Sequence, residues 1–214
     1  MKLVIAEKPS VAISIAKVIG ANKKKDGYYE GNGYRVSWCV GHLIQMANPN
    51  AYDEKYAKWN MADLPIIPSD YKYEVAKATK KQFNILKKLM NNKEIDMIIN
   101  ACDAGREGES IFRLVYNQVN CKKKMKRLWI SSMEDSAIKE GFDDLTDGKD
   151  YDNLFESAQA RAIADWLVGM NISRLYSCLY QQNYSVGRVQ TPTLAMIVKR
   201  DDEVANFKKK NTIQ

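Results

Sequence analysis

The stretch "IDMIINACDAGREGES", residues 95–110, decides the fold. Its first part, up to Ala101, is an apolar run of strand length, the signature of a strand buried on both faces of a parallel sheet. Its second part sets Asp103 and Glu107 four apart with Gly105 between them, then runs into a helical pattern through Ile111, Leu114 and Val115. The chain opens the same way. "LVIAE" (Leu3 to Glu7) is a second short apolar run ending in charge. "KPSVAISIAKVIG" then reads as a helix, with Ser10 where a cap would sit, Val11, Ile15, Val18 and Ile19 at helical spacing, and Gly20 as the stop. Two strand–acidic turn–helix units predict an α/β, Rossmann-like fold whose mainly parallel sheet is flanked by helices.

Working outward, "GYYEGNGYRVSWCVGHLIQM" predicts a hairpin about Gly-Asn-Gly. The proline-bearing segment from "NPNAYDEKY" to "IPSDY" predicts a long surface excursion. Phe83, Leu86, Leu89 and Met90 mark an amphipathic packing helix. "KRLWIS" predicts a third strand, and "SSMEDSAIKEGFDDL" a helix that Ser132 and Asp135 would cap. From about Tyr151 the pattern is helical without strands, which predicts a first domain over 1–150 and a partial all-α segment over 151–214. Pro192 lies near the start of a last helix. Trp38 and Trp129 are expected in the core.

Lys and Arg total 33 against 26 Asp and Glu, a formal charge of +7 with a pI near 9.1. That balance suits a polyanionic partner such as nucleic acid, or simply a soluble basic surface. The run "CKKKMKRLWI" has the same two readings, a solvated edge or nonspecific attraction to DNA. Cys39, Cys102, Cys121 and Cys178 form no C-x-x-C pair, which argues against a zinc site or a disulfide framework and for reduced thiols. No apolar window approaches a secretory or membrane-spanning segment, so a cytoplasmic location is expected.

Ligand sites in parallel α/β sheets collect beyond the carboxyl ends of the strands. Glu7 and Lys8 follow one strand; Asp103 and Glu107 follow the other. Three carboxylates beside a lysine would hold a hard divalent cation, most simply Mg²⁺ with water and a phosphate. Glu7 or Glu107 alone could equally favour a helix N-terminus, an effect of about 0.3–1 kcal/mol. Gly105 and Gly108 would allow a tight turn or a close approach of backbone to phosphate.

"VIAEKPSVA", "GHL", "DAGREGE", "ARAIADWLVGMNISRLYS" and "SVGRVQTPTLAMIV" resemble, in order and spacing, the amino-terminal part of bacterial type IA DNA topoisomerases of the topoisomerase III branch. The resemblance covers practically the whole chain. It implies a TOPRIM domain over about the first 150 residues, with Mg²⁺ on Glu7, Asp103 and Glu107 and with Lys8 stabilising charge at the scissile phosphate. His42 and Arg106 would support that site. Arg161, Asp165, Arg188, Gln190 and Thr191 fall on positions that contact single-stranded DNA, although Arg161 and Asp165 are also placed for a structural i,i+4 pair.

One position departs from the family pattern. Gly105 stands where many relatives carry a second aspartate, so a Mg²⁺ site here would use more water. The resemblance further implies strand cleavage through a 5′-phosphotyrosine, a nucleophilic mechanism needing no nucleotide. The tyrosine would lie in a Tyr-x-Arg-Thr setting that these 214 residues lack. The expectation is therefore an amino-terminal fragment, cytoplasmic and nucleoid-associated, whose partners are DNA and the tyrosine-bearing remainder of the polypeptide. A non-catalytic DNA-binding module and a TOPRIM nuclease or primase are the alternatives.

Overall fold

In the computed structural model, which describes residues 1–208, the two apolar runs lie side by side. Strand β1 (Lys2–Ala6) pairs in parallel with β7 (Met97–Ala101), in the register Lys2↔Met97 through Ala6↔Ala101. On its other side β1 pairs in parallel with β4 (Tyr34–Trp38). The sheet order is β2-β3-β4-β1-β7-β8-β9, with β2 (Lys23–Lys25), β3 (Tyr28–Gly31), β8 (Lys124–Arg127) and β9 (Thr146–Asp147) completing seven strands. The four inner strands are parallel, while β2, β3 and β9 add antiparallel edges. The expected α/β fold with a mainly parallel sheet is observed.

Side chains of β1 point alternately to the two faces, as the strand period requires. Leu3 and Ile5 enter a cluster with Phe83, Leu86 and Met90 of α2 (Lys80–Met90) and with Ile111, Phe112 and Val115 of α3 (Arg106–Gln118). Val4 and Ala6 enter a second cluster with Ala12, Ile15 and Ala16 of α1 (Pro9–Ile19) and Ile138 of α4 (Asp135–Asp143). Helices therefore cover both faces. Each fully buried branched side chain contributes about 1.5–3 kcal/mol, which explains why these strands read as continuous apolar runs.

The helix ends differ in detail from their predicted positions. Lys8, not Ser10, occupies the cap of α1, because Pro9 takes the first helical position where a missing N–H costs nothing. Gly20 ends the helix in the left-handed conformation at φ 78°. At α4 the cap residue is Glu134; the Ser132 hydroxyl instead accepts from the Glu134 N–H in the turn before the helix. The third strand covers Lys124–Arg127 rather than "KRLWIS". The Leu128 N–H still bonds to the Asn100 carbonyl, after which the chain leaves the sheet and Trp129 is 43% exposed. Trp129 is thus not a core residue: it stacks on Tyr151 at 5.0 Å.

The chain divides into two compact units, one of residues 1–47 and 71–161, the other of 48–70 with the chain from Ala162 onward. The first also carries a two-stranded sheet of β5 (Ile44–Met46) and β6 (Tyr73–Val75). In the second, the proline-bearing excursion forms short 3-10 turns and is tied to α5 (Asp152–Tyr180) by polar contacts. The Asn171 side chain receives the Ile66 N–H at 2.6 Å and donates to the Ile66 carbonyl at 3.0 Å. Helix α6 (Gln190–Ala205) follows, and the closing residues 209–214 lie outside the described residues.

Candidate active site

The carboxyl ends of β1 and β7 bring together three of the four acidic-site residues. Lys8 Nζ lies 3.2 Å from Glu7 Oε1 and 3.7 Å from Asp103 Oδ2, so one ammonium bridges the acids that follow the two strands. The hydrogen bond and charge of Glu7, then the charge of Asp103, hold the Lys8 pKa above its ordinary value. Glu7 is nearly enclosed, with 10% of its side chain exposed, whereas Asp103 is open to solvent at 57%.

Glu107 behaves differently. It sits in the first turn of α3 and contacts His42, whose Nε2 is 2.5 Å from Glu107 Oε1. Gly41 makes this possible. Its left-handed φ of 75° turns the chain beyond β4, while its N–H points to the Glu7 carbonyl at 3.5 Å. The three carboxylates do not close into one cluster: among the described residues no three His, Cys, Asp or Glu side chains are grouped as metal ligands. Arg106 opens α3, half-buried and without an ion pair among the described residues.

The two glycines of the motif have distinct roles. Gly108 is buried in α3, and a Cβ there would overlap the carbonyl oxygen of Asp103 and stand 2.8 Å from its nitrogen. Close approach of helix to loop therefore demands glycine. Gly105 has extended backbone at φ 163°, and a Cβ would meet nothing within 4 Å. The space for a larger side chain is present at 105.

Beneath the acidic residues lies a buried charge network that the sequence reading missed. Glu109 is fully buried; it accepts from Asn100 Nδ2 and Arg113 Nε, both at 2.8 Å, and lies 3.2 Å from Arg127 Nε. Arg127, 1% exposed, donates through Nη1 to the carbonyls of Asn100, Cys102 and Leu128, and through Nη2 to that of Asp103 at 2.7 Å. Burial lowers the Arg127 pKa, and Glu109 opposes that shift. The guanidinium gathers the carbonyls of the β7 end and so fixes the loop carrying Asp103. One signal was available: Arg127 shares a strand face with core-packed Met125, opposite exposed Lys124 and half-buried Lys126.

In the second unit, Asp165 on α5 holds Arg188 through Nε at 2.5 Å and Nη2 at 3.4 Å, and this pairing raises the Arg188 pKa. Gln190 donates to Ser185 Oγ at 2.9 Å, and Thr191 Oγ1 accepts from the Gly187 N–H at 3.1 Å. Their loop is fixed to α5 by Ser173 and Ser177, which bond both backbone groups of Val186 and Tyr184. Arg161 lies on the exposed side of α5. Asp165, Arg188, Gln190 and Thr191 thus share one region, where Asp165, Arg188 and Gln190 line a shallow pocket with Leu194 and Ile197.

Comparison with known proteins agrees with this architecture. The Toprim domain family matches residues 2–133, and the family described as DNA topoisomerase matches residues 149–213. DNA topoisomerase 3 of Bacillus anthracis is 52% identical over 206 residues, covering 96% of this chain and 28% of that protein. The Bacillus subtilis (strain 168) protein of the same name is 49% identical over 205 residues. The chain spans 28% of the length of these relatives. The solved structure of full-length topoisomerase I from Thermotoga maritima shares the fold, with a TM-score of 0.65 at 24% identity over 97% of this chain and 31% of that one. The chain belongs to the Toprim domain family, and the residues that follow its Toprim domain are similar to the family described as DNA topoisomerase.

Proposed function

We propose that this chain supplies the metal, transition-state and single-strand contacts of a type IA DNA topoisomerase, which cuts and reseals one DNA strand. The observation that carries the reading is the Lys8 ammonium bridging Glu7 and Asp103 at the ends of two adjacent parallel strands. Its support from kinship is the identity to proteins named DNA topoisomerase 3.

The donor types suit Mg²⁺: Glu7 and Asp103 offer hard oxygens at adjacent strand ends once Lys8 turns away from them, and Glu107 would add a third carboxylate on leaving His42. Bound there, Mg²⁺ would neutralise phosphate oxygens. Lys8 is long enough to exchange a carboxylate for a phosphate oxygen and so stabilise charge developing at phosphorus. Arg127, through its bonds to the 100–103 carbonyls, keeps Asp103 in place without touching substrate. Arg188, oriented by Asp165, would position a single strand by its phosphates. The nucleophilic tyrosine would come from a further polypeptide segment.

The test joins this chain to the tyrosine-bearing remainder of the Bacillus subtilis relative. Mg²⁺-dependent relaxation is expected, together with its loss in Glu7→Gln and Asp103→Asn. Relaxation unaffected by both substitutions refutes the site assignment, and a covalent DNA adduct formed by the unfused chain refutes the need for an added tyrosine. A metal-independent DNA-binding module is the second reading, favoured by the neutralisation that Lys8 already provides. It predicts strand binding unchanged by Mg²⁺.

A further inference from the structure

We propose that Trp59 and the amide-lined cleft beside it form a stacking subsite for one base of single-stranded DNA. The proposal rests on the DNA reading above and concerns the second unit alone. Trp59, Ser177, Cys178, Gln181, Gln182 and Asn183 line a cleft of about 490 Å³. The Trp59 ring is 47% exposed, a large apolar area to leave in water. It is also held in place: the Arg174 guanidinium lies 5.4 Å from its centroid.

Arg174 is an unusual support. It is 5% exposed and donates from Nη1 to the Tyr56 carbonyl at 2.8 Å, yet its Nε has no hydrogen-bond partner and no carboxylate pairs with it among the described residues. The charge of Asp63 acts on Arg174 without forming an ion pair, so a buried guanidinium with an open Nε backs the exposed indole and can accommodate a ligand that brings further negative charge. The cleft's polar groups divide by availability. Gln181 donates to the Cys178 carbonyl, Gln182 accepts from the Tyr184 hydroxyl, and Ser177 is occupied by Tyr184. The Asn183 amide has no hydrogen-bond partner among the described residues, so it retains both donors and its acceptor.

A flat aromatic face beside a free amide matches a nucleobase, which stacks through its π-face and pairs along its edge. A bare phosphate would use neither. No lysine lines the cleft. The site thus takes a base, and the nearby charge serves the strand's backbone.

The experiment titrates the chain with a short oligo(dT) and with an abasic strand of equal length, following tryptophan emission. Quenching by oligo(dT) is expected, with its loss in Trp59→Phe and about 5- to 150-fold weaker binding of the abasic strand. Asn183→Ala should leave abasic binding unchanged and narrow the differences among dT, dA and dC strands. Equal affinity of the wild-type chain for base-bearing and abasic strands overturns the proposal, and this comparison needs no variant to fold. Quenching that persists undiminished in folded Trp59→Phe overturns it as well. Failure to bind any strand overturns the DNA reading itself, and this subsite with it.

Discussion

Gly108→Ala should damage the protein far more than Gly105→Ala, although the two glycines lie three residues apart in one motif. At 108 the added carbon overlaps the Asp103 carbonyl oxygen and sits 2.8 Å and 3.0 Å from its nitrogen and carbonyl carbon. These are backbone atoms, so relief requires moving the loop or the start of α3 by something on the order of 1 Å, and such overpacking costs about 1–3 kcal/mol. The same carbonyl accepts from Arg127 Nη2 at 2.7 Å, and leaving that buried donor unpaired adds about 1–3 kcal/mol. Alanine's better helix propensity returns about 1 kcal/mol. The net loss is about 1–5 kcal/mol, a fall in Tm of roughly 2–20 °C for a chain of this size. At 105 the backbone is extended and the space is empty, so Gly105→Ala should stay within about 0.5 kcal/mol. Thermal and denaturant unfolding followed by circular dichroism reads both. Equal stability of the two variants refutes the packing argument.

Glu109→Ala should cost about 3–5 kcal/mol, because it strands the buried Arg127 charge; adding Arg127→Met should cost less than the sum of the single changes, and additive denaturant midpoints would contradict the coupling. Gly105→Asp should not weaken Mg²⁺ binding, and calorimetry showing lower affinity would count against 105 as a vacant ligand position. Lys8 should titrate above its ordinary 10.5 and return toward it in Glu7→Gln, as read by NMR of its side chain. Because its folded pKa is raised, the Lys8 contribution to stability is complete below 10.5 and is lost as pH climbs through the folded value. Arg188→Ala should lower the slope of log affinity for single strands against log salt by about 1, and an unchanged slope would remove Arg188 from the phosphate contacts.

What the sequence disclosed depended on whether the cause was local. The paired strands were legible because Leu3–Ala6 and Ile98–Ala101 are buried on both faces and are apolar but for Asn100, whose amide is bonded to Glu109. Gly20 was legible because a left-handed helix end selects glycine. Lys8 beside Glu7 and Asp103 followed from the rule that sites gather at strand ends. Arg127 was hidden inside a basic run, since its burial depends on Glu109 and on carbonyls contributed by distant positions. The His42–Glu107 contact is equally non-local. Segment 48–70 read as a surface loop because its anchors, Asn171 and Arg174, belong to α5 and leave no period in the loop itself.

The place of β1 in the sheet has a consequence for biogenesis. The strand earliest in this sequence is also the central one of the sheet, flanked by β4 and by β7, which begins at Met97. At about 5–20 residues per second on the ribosome, a strand that is apolar from Leu3 to Ala6 waits roughly 5–20 s for its second neighbour. Parallel pairing across so long a separation is also intrinsically slow. Throughout that interval the nascent chain presents Leu3–Ala6 as an open β-edge, the segment through which crowded or overexpressed chains would be expected to associate, and the one a chaperone would most profitably shield.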